Sequence, residues 1–108
     1  MNEGFHTASC DGNVTIFWQG PTVFDRGTAS ADRTSEHVWW INRVLVQPEE
    51  CRGKGIGTVL VQLLKENLKG QGTLTVCPGG YSDDVERQKN FYLKCGFVDN
   101  GDLLVCTP

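Results

Sequence analysis

Seven residues near the middle of the chain, Cys51 to Gly57 (CRGKGIG), gather three glycines, one arginine and one lysine with no acid among them. The apolar run that follows is strongly helical. Ile56, Val59, Leu60, Leu63, Leu64 and Leu68 recur at the three-to-four spacing of one helix face, while Lys65, Glu66 and Lys69 fall elsewhere. A helix start carries N–H donors with no intrahelical acceptor, and its dipole places partial positive charge there. Glycines leave those donors uncovered, and Arg52 and Lys54 add charge, so an anion can dock on this loop. The P-loop pattern is absent because no Gly-Lys-Ser/Thr follows at the required spacing. The dinucleotide pattern fails too, since Thr58 stands where the third glycine belongs. The same glycines also suit a tight strand-to-helix turn that binds nothing, and these residues alone leave both readings open.

Other groups capable of chemistry are scattered. Glu36 and His37 open a long apolar strand and can act as a base, or stand exposed at its end. Asp83 and Asp84 follow a later strand, where they can serve as a base or cap the next helix. Cys77 is a nucleophile by type, but no histidine lies near it in sequence, and an inert thiol is the plainer reading. The five cysteines are odd in number and widely spaced, so we expect free thiols in a reducing cytoplasm. His6 and His37 stand apart from the cysteines, and no metal site is expected.

The elements that must position these groups read as follows. Asp11-Gly12 lies between two β-rich segments and predicts a type I′ hairpin. Gly20-Pro21 marks a turn before a short TVF segment, and residues 25–35, small and polar, read as a loop. A long strand follows from Glu36 to Gln47, with Val38, Trp40, Val44 and Val46 on one face and Trp39, Ile41, Arg43 and Leu45 on the other. Adjacent tryptophans on one strand face opposite sides. Core packing, an acceptor wall or a homodimer interface would each cover the outer one. After the first helix, Gly70 and Gly72 end it and TLTVC is a strand, giving a right-handed parallel crossover over residues 37–77. A second helix is expected from Asp83 to Cys95, opened by the capping box Asp83-x-x-Glu86 and closed by Gly96. Asn100-Gly101 then joins a short β end. The 108 residues suit one domain, 1–108, of α/β (α+β) class.

Two stretches carry a family resemblance. VLVQPEECRGKGIGTVLVQLL closely resembles the acetyl-CoA-binding segment of the GCN5-related N-acetyltransferases (GNAT). In that family a strand ends in a hydrophobic-x-hydrophobic-x-Pro sequence, followed by Arg/Gln-x-x-Gly-x-Gly/Ala at a helix start. NFYLKCGF, residues 90–97, is similar to the family's second landmark, which closes the next helix. Both occur in the family's order, and together they cover about residues 37–97.

The resemblance implies a mixed, largely antiparallel sheet with a central splayed parallel strand pair and two main helices. It implies that the backbone of Val44, Leu45 and Val46 pairs with the pantetheine arm of acetyl-CoA. The amides of Gly53, Lys54, Gly55, Ile56, Gly57 and Thr58, with Arg52 beside them, would hold the pyrophosphate. Tyr92 would protonate the departing thiolate, a role open to a phenol of pKa about 10. The implied function is N-acetyl transfer from acetyl-CoA, as cosubstrate, to a primary amine by direct attack, with no metal. The alternative is a CoA-binding or interaction module with weak or no activity. The chain departs from the family in having only about 36 residues before the long strand, reading as hairpins, and Val85 where many relatives carry asparagine.

A net charge of −3 gives no reason to expect nucleic acid as a partner. No apolar run reaches membrane-span length, and the N-terminus lacks a signal-peptide pattern, so a cytoplasmic protein is expected.

Overall fold

The computed structural model describes residues 3–78 and 85–108. Seven strands form one sheet in the order β1-β2-β3-β4-β5-β7-β6. They are β1 (Gly4–Cys10), β2 (Asn13–Gln19), β3 (Arg26–Ser35), β4 (Val38–Gln47), β5 (Thr73–Val76), β6 (Val98–Asn100) and β7 (Leu103–Cys106). Helix α1 (Ile56–Asn67) lies between β4 and β5, and α2 (Val85–Lys94) follows β5. Every neighbouring pair is antiparallel except β4 and β5. The mixed sheet with one central parallel pair and two helices is the architecture expected from the sequence.

The β1–β2 hairpin turns at Asp11-Gly12, as its pattern predicts, but it is not type I′. That turn needs positive φ at both central residues, and only Gly12 has it, at 80°.

Residues 25–35 are not a loop. All but Asp25 of them form β3, between β2 and β4. Gly27, Ala29 and Ala31 alternate along it and are buried, Ala29 and Ala31 completely. Their small size lets α1 approach the sheet, and a Cβ built on Gly27 would meet Leu60 Cδ1 at 3.0 Å. The alternation was present in the sequence, but in small residues that a reading tuned to bulky apolar side chains passes over. Thr22 to Phe24 do not form a strand, and Val23 and Phe24 are exposed.

The face of α1 that enters the core carries Leu60, Val61, Leu64 and Leu68, all nearly inaccessible. Each such side chain contributes roughly 1.5–3 kcal/mol by leaving water. Val59, expected on this face, is half exposed, and Val61 takes its place. Both helices lie on one face of the sheet. Lys65 Nζ of α1 donates to the carbonyl of Cys95 beyond α2 at 2.7 Å, and the Phe91 ring of α2 packs against Gly57 of α1. Among the described residues no helix covers the opposite face, which carries Phe17, Thr28, Ser30, Trp40, Leu45, Thr75 and Val105. Of the two adjacent tryptophans, Trp39 is buried in the core and Trp40 is half-buried on this outer face.

β4 changes face partway along. Ser30 pairs with Arg43 and Ala31 with Ile41, so Asn42 is an extra residue, a β-bulge. Trp39 and Ile41 before the bulge therefore share the core face with Val44 and Val46 after it, instead of alternating against them. Strict period-two reading of the strand misses this.

Candidate active site

β4 and β5 are paired only over Val38–Trp40 and Thr73–Thr75. Beyond the bulge the two strands part, and among the described residues no strand lies beside the β4 edge that faces β5. The gap is a cleft of about 1540 Å³. One wall is β4 from Ile41 to Gln47, and the other is Val76, Cys77 and the α2 side chains Glu86, Asn90, Phe91, Tyr92 and Lys94. Cys51, Arg52, Gly53, Gly55, Gly57 and Thr58 close its end.

The glycine loop at that end is built for uncovered donors. Gly53 and Gly55 hold φ of 79° and 83°, a left-handed conformation that costs other residues 1–2 kcal/mol (about). Gly55 is the N-cap of α1 and has no side chain to fold back on the helix. The first helical bond runs from Val59 N–H to Gly55 C=O at 3.1 Å. The N–H groups of Ile56, Gly57 and Thr58 thus have no acceptor within the helix.

Arg52 ties this loop to β4, because its Nε donates to the Val46 carbonyl at 3.0 Å. That carbonyl therefore turns away from β3. The two-residue alternation of a strand directs the backbone groups of Val44 the same way, into the gap. Leu45 is turned oppositely: its carbonyl oxygen lies 3.3 Å from where a Cβ on Gly27 of β3 would stand. Cys51 sits behind the loop with its Sγ 3.5 Å from Asp25 Oδ1, and burial, with this carboxylate next, pushes its thiol pKa up. Such a shift disfavours the nucleophilic thiolate at neutral pH.

Tyr92 is 6% exposed and stands edge-on to Phe91 and Phe97, with ring centroids 5.1 and 5.5 Å away. Burial, with Cys95 a smaller contributor, pushes its pKa up to about 12. Its hydroxyl stays protonated throughout the physiological range. A consequence for stability follows by linkage. Unfolding returns the phenol to a pKa of about 10. Between pH 10 and about 12 the unfolded chain loses this proton while the folded chain keeps it, so stability falls as pH rises through that window. Two pKa units correspond to about 3 kcal/mol. Urea melts at pH 9 and pH 11.5 should show a larger alkaline loss for the native chain than for Tyr92→Phe, and equal losses would contradict the burial.

Of the residues singled out in the sequence, Val44, Leu45, Val46, Arg52, Gly53, Gly55, Gly57, Thr58 and Tyr92 line one cleft. Lys54 is exposed in the same loop, and the Ile56 side chain packs against the core, leaving its backbone at the helix start. Glu36 and His37 do not line it. They are exposed before β4, at the end away from the gap, with His37 Nε2 3.8 Å from Glu36 Oε1. Asp83, Asp84 and the start of the capping box lie outside the described residues. Cys77 is exposed and lines the cleft. Sequence reasoning missed Asn42, Arg43, Glu86, Asn90, Phe91 and Lys94. A signal existed for two of them, since Asn42-Arg43 interrupts the otherwise apolar WWINRVLV.

No group of three or more His, Cys, Asp or Glu among the described residues is placed to hold a metal. Nor is any described helix long and apolar enough to cross a membrane.

A split sheet with an uncovered helix start at one end and a buried phenol in its wall suits an extended molecule with an anionic part. The acetyltransferase (GNAT) domain profile matches residues 3–99, and the chain belongs to this family, whose members use acetyl-CoA or another acyl-CoA for acyl transfer. Solved structures share the fold. A Desulfovibrio desulfuricans protein assigned to the GNAT acetyltransferases superposes with a TM-score of 0.68 at 13% identity, covering 90% of this chain and 69% of that one. A Klebsiella pneumoniae protein assigned as an acyl-CoA N-acyltransferase gives 0.67 at 16% identity, over 88% and 72%. The anti-CRISPR protein AcrVA5 gives 0.61 at 17% identity and matches nearly end to end, over 95% of this chain and 98% of that one. No curated protein matches the sequence.

Proposed function

We propose that the protein is an N-acetyltransferase that carries acetyl from acetyl-CoA to a primary amine by direct attack. The observation that carries this reading is one cleft lined both by Gly57 and Thr58, at the uncovered start of α1, and by the largely buried Tyr92. The cleft's size and its donors fit a coenzyme with a pyrophosphate at one end and a thin arm at the other. Acetyl-CoA supplies an activated thioester; the chain supplies position and proton management.

In this reading the loop amides hold the pyrophosphate, and Lys54, exposed beside them, adds long-range attraction. Arg52 acts mainly as a brace, since its Nε is already engaged by Val46. The free backbone edge of Val44 pairs with the arm as a further strand would. The attacking amine must be neutral, and Glu86, the acidic side chain of the cleft wall, would receive its proton or pass it to solvent. Tyr92 faces a thiolate whose ordinary pKa is about 8.5, well below its own of about 12. The phenol is therefore a constant hydrogen-bond donor to sulfur as negative charge develops. Full proton transfer becomes favourable only as burial raises the thiolate's own pKa.

Gly57 offers a direct test of the cofactor. A Cβ there would contact the Phe91 ring at 3.5 Å and Val46 Cγ2 at 4.0 Å, ordinary van der Waals distances. Gly57→Ala should therefore bind acetyl-CoA nearly as the native chain does, whereas Gly57→Trp fills the loop end. We expect Gly57→Trp to weaken binding by about 30-fold or more, about 2 kcal/mol, with unchanged circular dichroism. Calorimetry reads both. Absence of any binding by the native chain at millimolar acetyl-CoA would sink the assignment.

A further inference from the structure

The outer face of the sheet carries a second, smaller pocket that shares two lining residues with the cleft. It measures about 450 Å³ and is lined by Thr15, Phe17, Thr28, Ser30, Asn42 and Arg43. Asn42 and Arg43, at the β4 bulge, also line the cleft, so the two spaces adjoin where β4 leaves β5.

A hydrogen-bond account of this pocket shows which groups remain for a ligand. Thr15 Oγ1 donates its single proton to Asn13 Oδ1 at 2.9 Å, so in the Thr15–Ser30 contact at 3.0 Å it is Ser30 that donates. Asn13 Nδ2 in turn reaches Ser30 Oγ at 3.3 Å and Asp32 Oδ1 at 2.7 Å. Asp32 Oδ2 accepts from Asn42 Nδ2, which pins the bulge residue to β3. The hydroxyls of Thr15 and Ser30 and the carboxylate of Asp32 are thereby engaged with protein partners. Arg43 is different. It is exposed, and no carboxylate among the described residues pairs with it. Thr28, on the neighbouring row of the same face, also keeps its hydroxyl proton unspent on any described group.

We propose that this pocket is the acceptor subsite, and that Arg43 binds a carboxylate carried by the amine that is acetylated. The inference rests on the transferase reading above and names its substrate class: a small amino acid or similar amine bearing a carboxylate. The pocket's volume suits a molecule of that size. An unpaired guanidinium offers a carboxylate two parallel N–H donors, with Thr28 beside it as a further donor. With the carboxylate held at Arg43 on the outer face, a tail of a few carbons leads the amine past the bulge into the cleft. Asn42, held by Asp32, keeps that passage open and acts as a positioning residue.

Matched amines test this: lysine against cadaverine and ornithine against putrescine, each pair differing only in the carboxylate. Binding is followed by amide chemical shifts of the labelled protein, and transfer by thiol release from acetyl-CoA. We expect the carboxylated member to bind at least 10-fold more tightly, with shifts centred on Thr28, Asn42 and Arg43. Arg43→Ala should raise KM for lysine at least about 10-fold more than it raises KM for cadaverine. Arg43→Lys should restore part of the loss. Equal binding of the two members of a pair, or an equal effect of Arg43→Ala on both, overturns the proposal. Discrimination at Arg43 without turnover by any amine would leave the subsite standing and remove the transferase reading. If only an amine within a folded protein is acetylated, indifferent to Arg43, the small-molecule class is wrong.

Discussion

Replacing Tyr92 by phenylalanine should lower kcat by about 100-fold or more while changing the Kd of acetyl-CoA less than threefold. The separation of the two effects comes from where Tyr92 sits. Its ring is held edge-on by Phe91 and Phe97, and phenylalanine keeps both contacts. The N–H groups proposed to hold the pyrophosphate belong to a different element, the start of α1, and the substitution does not reach them. What disappears is one hydroxyl that stays protonated up to about pH 12. The pH profile gives an independent check. If the proposed transfer to an amine holds, the native chain should gain activity as the amine deprotonates and show no alkaline decline assignable to a phenol below pH 10. Thiol-release assays with calorimetry on the same preparations decide the point. A variant with normal turnover would remove Tyr92 from the mechanism, and one that loses coenzyme binding would make its role structural.

The largest loss of stability should follow from Gly72→Ala, one methyl group outside the cleft. Gly72 has φ of 121°, and a Cβ built on it would lie 2.1 Å from the carbonyl oxygen of His37 and 2.5 Å from its carbon. The obstacle is backbone, which cannot swing aside as a side chain can. The adjacent Thr73 N–H bonds that same carbonyl at 2.8 Å, opening the parallel β4–β5 pairing. The methyl group must therefore push apart the pairing from which the cleft diverges. We expect a cost above about 3 kcal/mol, a fall in Tm of more than about 10 °C. Gly70→Ala is the control. Gly70 also has positive φ, 80°, but nothing lies within 4 Å of its added Cβ, so it should cost only about 1–2 kcal/mol. Similar urea midpoints for the two variants would contradict the close approach at His37.

Much of the site was legible because its signals are local. The glycines of CRGKGIG, the apolar stripe of α1 and the closing glycine of α2 each act within a few residues, and each appears where its pattern puts it. The C-terminal hairpin forms beside its Asn-Gly pair, but one residue on: Gly101 and Asp102 make the turn, and Asn100 pairs with Leu103. β3 was not legible as a strand, because Gly27, Ala29 and Ala31 mark a helix-contacting face only when the helix that covers them is known. The role of Val61 in place of Val59 is a similar matter, decided by how α1 is rotated on the sheet.

The sequence by itself determined the two landmarks, their order, and the helix start with its uncovered donors, since chain chemistry and short-range periodicity suffice for these. Only the tertiary structure decided that Asn42 bulges, that β4 changes face there, and that Arg43 joins the cleft to a second pocket. It also moved Glu36 and His37 out of contention, by setting them at the end of β4 away from the gap. The physical reason is one of range. A bulge and a cleft are properties of how separate strands pair and part, and no single segment carries that information.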